Sequence, residues 1–210
     1  MTTVELGSSV EGRPITANGH GQGGLVIFGG IHGDEPASVT LCERYLQQRD
    51  PAQSIWVLSA ANPDGLFRRS KDNARGVDLN RNFAASNFSA DHPPGYFPGA
   101  SPSSEPETRA LVRLLEEAAP SLVVSVHQPF RCVNWDGPAE ALAKAMSAAS
   151  GYPATPSVGY PTPGSFGSFW GVDRGRPVIT LELPATLDDD DWRGCLAALA
   201  CAALHCRATL

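Results

Sequence analysis

Apolar residues gather in four short runs, at 24–31 (GLVIFGGI), 54–60 (SIWVLSA), 121–127 (SLVVSVH) and 177–183 (PVITLEL). Each run is continuous rather than alternating, the pattern of a strand covered on both faces. The stretches between them predict helices near 35–48, 106–118, 137–149 and 189–206. Pro36 suits a first helical turn, where its missing N–H costs nothing. Asp188 to Asp191 suit the amino end of the last helix, which favours negative charge. Strands alternating with helices predict an α/β/α sandwich with a mixed, mainly parallel central sheet. No internal repeat or linker divides residues 1–210, so a single domain is expected. The stretches 84–106 and 150–176 are rich in Gly, Pro, Ser and aromatics. Long irregular loops in compact domains usually carry function, so these two are expected to wall a pocket.

In such sheets ligands bind beyond the carboxyl ends of the strands, so the polar residues that close the apolar runs are the candidates for chemistry. The first run is followed by His32-Gly33-Asp34-Glu35. An imidazole and a carboxylate three residues apart can project the same way, and zinc accepts both donors. Taken alone, the pair is equally an ordinary loop histidine and a helix-start glutamate. Asn62-Pro63-Asp64-Gly65 follows the second run, and His127 closes the third. With His127 as third ligand, two imidazoles and one carboxylate leave a position open, as catalytic zinc sites do. A strand-end histidine satisfied by its neighbours is the plainer reading of His127 by itself. Glu182 stands inside VITLELP. A carboxylate there is costly to bury unless paired or used, and burial would raise its pKa toward that of a working base. Alternation also permits Glu182 to point outward while Leu181 and Leu183 point inward. The segment Asn73 to Phe83 (NARGVDLNRNF) packs Arg75, Asp78, Asn80, Arg81 and Asn82 between apolar anchors. Its fork-shaped donors suit recognition of a carboxylate.

Composition narrows the choice of partners. The chain has 210 residues, 42% of them hydrophobic, enough for one sizeable core. A net charge of −6 with no basic run argues against nucleic acid and anionic membranes. The amino-terminal stretch lacks a basic segment followed by an apolar one, and no run approaches ~20 apolar residues, so neither signal peptide nor membrane span is expected. The cytoplasm is the expected location. Cys42, Cys132, Cys195, Cys201 and Cys206 are odd in number and form no CxxC pair, so free thiols are expected. The glycines of GQGG and GGIHG do not follow the spacing of a dinucleotide loop.

In this order, GIHGDE, NPDG, GVDLNRNF, SEPETRAL, SVHQ and ITLELP resemble the zinc carboxypeptidase (carboxypeptidase A-like) family. GSSVEGRPI is similar to that family's amino-terminal hairpin. Within the family, NARGVDLNRNF, SEPET and SVGYPTPGSFGSFW look most like the bacterial murein peptide amidase group. The resemblance implies one catalytic domain holding one zinc ion on His32, Glu35 and His127, with Glu182 as the general base. It implies that Asn80 and Arg81 hold the substrate's terminal carboxylate and that Tyr160 covers bound substrate. For the cation that stabilises the oxyanion it offers Arg75, with Lys71, which stands at the position counted back from Gly76, as substitute. The implied substrate is a small peptide, murein tripeptide, cleaved between γ-D-glutamate and meso-diaminopimelate during cell-wall recycling. Arg131, Asp136, Asp173 and Arg174 are further polar candidates near the mouth. Two rival readings are a zinc-dependent deacylase of N-acyl amino acids, with similar His-x-x-Glu and DLNR segments, and a non-catalytic peptide-binding module.

Overall fold

The structure, a computed structural model, describes residues 2–208 and the side chains of residues 2–206. Its strands are β1 (Thr2–Ser8), β2 (Pro14–Gly19), β3 (Leu25–Phe28), β4 (Ile55–Leu58), β5 (Leu122–His127), β6 (Phe130–Asp136), β7 (Ala154–Thr155) and β8 (Val178–Pro184). Its helices are α1 (Pro36–Gln48), α2 (Pro63–Arg68), α3 (Pro106–Ala118), α4 (Glu140–Ser150) and α5 (Asp189–Ala208). A short 3-10 turn covers Leu79–Arg81, and a π-helical segment covers Gly167–Val172. One sheet runs in the order β1-β2-β4-β3-β5-β8-β6-β7. The inner strands β4, β3, β5 and β8 are parallel, while β2 and β6 join them antiparallel.

The four predicted apolar runs are those parallel strands, and every residue of β3 and β5 is buried. Alternation splits their side chains between two cores. Leu25, Ile27, Val124 and Val126 pack on one face beneath α1, α4 and α5. Val26, Phe28 and Val123 pack on the other with α3, with Val77, Leu79 and Phe83 of the segment 73–83 and with Phe166 of the loop 150–176. Continuous apolar runs thus mark strands with helices or folded loops on both faces. The predicted helices match α1, α3, α4 and α5, except that α4 starts at Glu140 because Gly137, at φ +65°, first turns the chain out of β6. None of the five cysteines forms a disulfide among the described residues. No helix among the described residues is long and apolar enough to cross a membrane.

The hairpin β1–β2 and strands β6 and β7 carry no continuous apolar run. Of these, the hairpin is held from outside by the NPDG segment. Asp64 is wholly buried and accepts hydrogen bonds from Ser9 Oγ at 2.7 Å, Glu11 N at 3.0 Å and Arg13 Nη1 at 2.6 Å. Burial opposes its ionisation, but these donors outweigh burial and hold its pKa below the ordinary value. Asn62 caps α2 by accepting from Gly65 N at 2.9 Å. Asp64 therefore faces the hairpin, and this strand-end motif shapes the scaffold.

Candidate active site

The carboxyl ends of β3, β5 and β8 meet around a cavity of about 270 Å³. The turn after β3 is Gly29-Gly30-Ile31-His32, with Gly30 at φ +63°. Ser38 Oγ in α1 accepts from Gly30 N at 2.9 Å and ties this turn to the helix. Gly33 packs directly on α2, the short helix after β4, where a β-carbon added to it would lie 1.9 Å from the carbonyl carbon of Gly65. This compact turn presents His32, and Glu35 follows as the residue that opens α1, with Pro36 in the first helical turn. His127 ends β5 one strand away, and Glu182 stands beside it on β8 in register.

His32, Glu35 and His127 each offer a donor atom, and all three atoms lie within 4.8 Å of one another. His32 Nδ1 is 2.7 Å from Glu35 Oε1, and His127 Nδ1 is 3.2 Å from Glu35 Oε2. The two Nδ1 atoms and the carboxylate converge on one point. Burial alone would lower the pKa of His32, but Glu35 and Asp78 overcome it and raise the value to about 10. Burial would raise that of Glu35, yet His127 and His32 pull it down to about 2. A buried site that concentrates negative potential on imidazole nitrogens suits a divalent cation, which would replace the proton. Two nitrogens and a carboxylate oxygen are a donor set zinc accepts with a position to spare. The residues present therefore fit the ion.

Around this cluster the cavity is lined by residues from four other segments. Asp78, at the start of the 3-10 turn, is fully buried beneath His32. Its Oδ1 stands 3.2 Å from His32 Nε2 and accepts from Asn80 N at 2.9 Å, while Oδ2 pairs with Lys71 Nζ at 2.6 Å. Burial opposes a charge on Asp78, but His32, Arg81 and Lys71 drive its pKa far down. Arg81 lines the cavity, donates from Nη1 to the Asn80 carbonyl at 2.7 Å and lies over the Tyr96 ring. Asn80 Oδ1 accepts from Phe166 N at 2.9 Å, which orients the amide. Glu182 is buried, and burial raises its pKa, with His127 working against the rise. Phe130 N donates to its Oε2 at 3.5 Å. Tyr160 stands at the mouth, its ring 6.2 Å from Phe130 and 6.4 Å from Tyr96. Partial burial raises its phenol pKa, against the pull of Arg81.

The residues singled out in the sequence fall into two groups. His32, Glu35, His127, Glu182, Asn80, Arg81, Tyr160 and Lys71 all line the cavity. Arg75 does not. Its guanidinium reaches out to Glu105 Oε2 at 3.4 Å and is more than half exposed. Glu105 itself is anchored by Asn73 Nδ2 at 2.8 Å, so the same polar segment that delivers Asn80 and Arg81 inward directs Arg75 away. Lys71 holds the cavity position instead, with Nζ also donating to the Gly95 carbonyl at 2.8 Å and lying over Tyr96. Of the four further candidates, Asp136 lines the cavity and Arg131, Asp173 and Arg174 do not. Asp78 and Tyr96 were not given roles by sequence reasoning, although an aspartate wedged between Val77 and Leu79 signals a buried acid. The loop 84–106 contributes only Tyr96 to the wall, whereas 150–176 contributes Pro156, Tyr160, Ser165 and Gly167 among others.

The chain is similar to known proteins over most of its length. A family model described as zinc carboxypeptidase matches residues 1–136. The chain is 35% identical over 94% of its length to murein peptide amidase A of Escherichia coli strain K12, covering 88% of that protein. Against murein peptide amidase A of Vibrio campbellii it is 35% identical over 88% of its length, covering 80% of that protein. The crystal structure of murein-tripeptide amidase from Escherichia coli O157 superposes with a TM-score of 0.80 at 33% identity, over 97% of this chain and 91% of that one. Thrombin activatable fibrinolysis inhibitor shares the fold, with a TM-score of 0.83 at 19% identity over 100% of this chain and 72% of its own.

Proposed function

Because this chain belongs to the zinc carboxypeptidase family and is a hydrolase, we propose that it is a zinc-dependent amidase acting on murein tripeptide. The bond cleaved is that between γ-D-glutamate and meso-diaminopimelate, in recycling of cell-wall peptides in the cytoplasm. The observation that carries this reading is the cluster of His32, Glu35 and His127 beside Glu182, in a chain 35% identical over nearly all its length to murein peptide amidase A.

His32, Glu35 and His127 would hold one zinc ion, and Asp78 fixes the ring of His32 through its far nitrogen, an arrangement that also raises ligand basicity. Bound zinc supplies a Lewis acid that polarises the scissile carbonyl and renders a nearby water acidic. Glu182 takes a proton from the attacking water and passes it to the leaving amine. Its raised pKa suits both transfers, because a stronger base accepts more readily while still releasing the proton later. Lys71 places an ammonium at the cavity wall, where it stabilises negative charge growing on the carbonyl oxygen. Arg81 and the amide of Asn80 bind the terminal carboxylate of the substrate and fix which bond reaches Glu182. Tyr160 closes the mouth over the bound peptide.

Metal analysis of the purified protein, joined to hydrolysis assays on L-Ala-γ-D-Glu-meso-diaminopimelate, a simple carboxyl-terminal dipeptide and N-acetyl or N-succinyl amino acids, tests the reading. One zinc per chain and release of diaminopimelate from the tripeptide are expected. Zinc-loaded protein that leaves the tripeptide intact would overturn it, and release of acetate or succinate alone would point to deacylation.

A further inference from the structure

Tyr96, the one residue that the loop 84–106 sends into the cavity wall, meets both cations of that wall. Lys71 Nζ lies 3.8 Å from the centre of its ring, and the guanidinium carbon of Arg81 lies 5.1 Å from it. Both distances fall within the ~6 Å over which an aromatic face attracts a cation. The preceding residue adds a second hold, because the Gly95 carbonyl accepts from Lys71 Nζ at 2.8 Å. Gly95 sits at φ +82°, a conformation open to glycine, and Tyr96 N donates to the Pro93 carbonyl at 3.2 Å. This tight turn sets a carbonyl and a ring side by side against the ammonium.

Two positive groups on long, flexible stems repel each other when they share a small cavity. Lys71 is paired with Asp78 Oδ2 at 2.6 Å, whereas Arg81 donates to the Asn80 carbonyl and forms no ion pair among the described residues. An aromatic ring presents negative density on both faces, so Tyr96 attracts both cations without neutralising either. A carboxylate alone fixes the distance of an ammonium and lets it pivot. With Asp78, the Gly95 carbonyl and the Tyr96 ring around it, Lys71 Nζ is held from three directions. The Tyr96 hydroxyl makes no hydrogen bond among the described residues, so it is the ring that these contacts use.

We propose that Tyr96 is a positioning residue whose ring sets Lys71 against the scissile carbonyl and Arg81 against the terminal carboxylate, so that one side chain aligns the reacting bond and its anchor together. Small misplacement of such groups is costly, because catalysis depends on their holding the reacting geometry. The two cations report differently. Lys71 meets charge that grows only in the transition state and so acts on kcat, whereas Arg81 holds a carboxylate already present in the bound substrate and so acts on KM. The inference deepens the amidase reading and rests on the roles it gives Lys71 and Arg81. It is independent of the side chain of the leaving residue, since any substrate with a terminal carboxylate meets both cations.

The test is steady-state kinetics of the zinc-loaded protein on murein tripeptide and on a simple carboxyl-terminal dipeptide, with Tyr96→Phe, Tyr96→Leu and a series carrying mono-, di- and trifluorophenylalanine at position 96. Tyr96→Phe keeps the ring and is expected to stay within a few-fold of the wild type. Tyr96→Leu is expected to lower kcat and to raise KM, each by about 2- to 30-fold, the span of a cation–π contact. Fluorine withdraws density from the ring at nearly constant shape, so kcat/KM should fall stepwise along the series, a response that packing alone does not give. A flat fluorine series, wild-type constants in Tyr96→Leu, or a loss in Tyr96→Phe as large as that in Tyr96→Leu would each overturn the proposal. Stepwise loss on the dipeptide in an enzyme that leaves murein tripeptide intact would sink the murein reading and keep Tyr96 in its role. Tripeptide turnover indifferent to the ring would do the reverse.

Discussion

His127 and Glu182 lie directly opposite each other across the parallel pairing of β5 and β8, so a proposed metal ligand and the proposed base are fixed by the same ladder of backbone hydrogen bonds. Two buried neighbouring strands hold both side chains with little freedom. Glu182→Gln is isosteric and retains an acceptor for Phe130 N. The variant should bind zinc with wild-type stoichiometry while kcat falls about 10²- to 10⁴-fold, the usual contribution of a positioned base. Metal analysis and steady-state kinetics on the same preparation check this, and near-normal turnover would remove Glu182 from the mechanism.

Lys71, which stands at the position counted back from Gly76, faces the cavity, whereas Arg75, the first candidate for the oxyanion cation, faces solvent. Lys71→Ala should lower kcat about 10²- to 10³-fold, as loss of an oxyanion donor does. Arg75→Ala should stay within a few-fold of the wild type, because an exposed ion pair such as Arg75 with Glu105 contributes roughly 0 to 1 kcal/mol. Kinetics on the two variants side by side decide which cation serves the reaction.

Asp78 joins three parts of the site at once, through His32, the Asn80 backbone and Lys71. Asp78→Asn should weaken zinc about 10- to 100-fold, the usual effect of removing a partner of a metal-binding histidine. Competition with a chromogenic chelator reads that affinity without recourse to activity. Unchanged affinity would mean that Asp78 serves Lys71 and the 3-10 turn rather than the metal.

Asp64 provides a test of the scaffold away from the metal. Its pKa is held below the ordinary 3.8, so its stabilising contribution is fully present above that value and disappears as pH falls through the folded-state pKa. Asp64→Asn should cost about 2 kcal/mol at neutral pH, the scale of charged hydrogen bonds lost from a buried acceptor. The gap between wild type and variant should narrow as the pH drops below 3.8. Urea denaturation at a series of pH values measures both effects.

The parallel core was legible because burial on both faces writes itself as uninterrupted apolar sequence, as in Leu25 to Phe28 and Leu122 to Val124. The outer strands were not, since β1 and β6 mix exposed and buried positions and β7 is two residues long. Residues that end buried strands, such as His127, were placed correctly because topology dictates where they emerge. Within NARGVDLNRNF, composition identified the donors without showing which way each one turned. The direction of Arg75 depends on Glu105, thirty residues later, and such a long-range partner leaves no local trace.

The contact between Gly33 and Gly65 sets a limit on how this enzyme could be altered. The turn after β3 and the helix α2 touch with no side chain between them. A single methyl at position 33 would wedge them apart and swing His32 away from Glu35 and His127, although it adds neither charge nor polarity. Loops at the mouth can be redesigned for new substrates with the metal triangle intact, whereas Gly33→Ala, among the smallest of substitutions, strikes at the triangle itself.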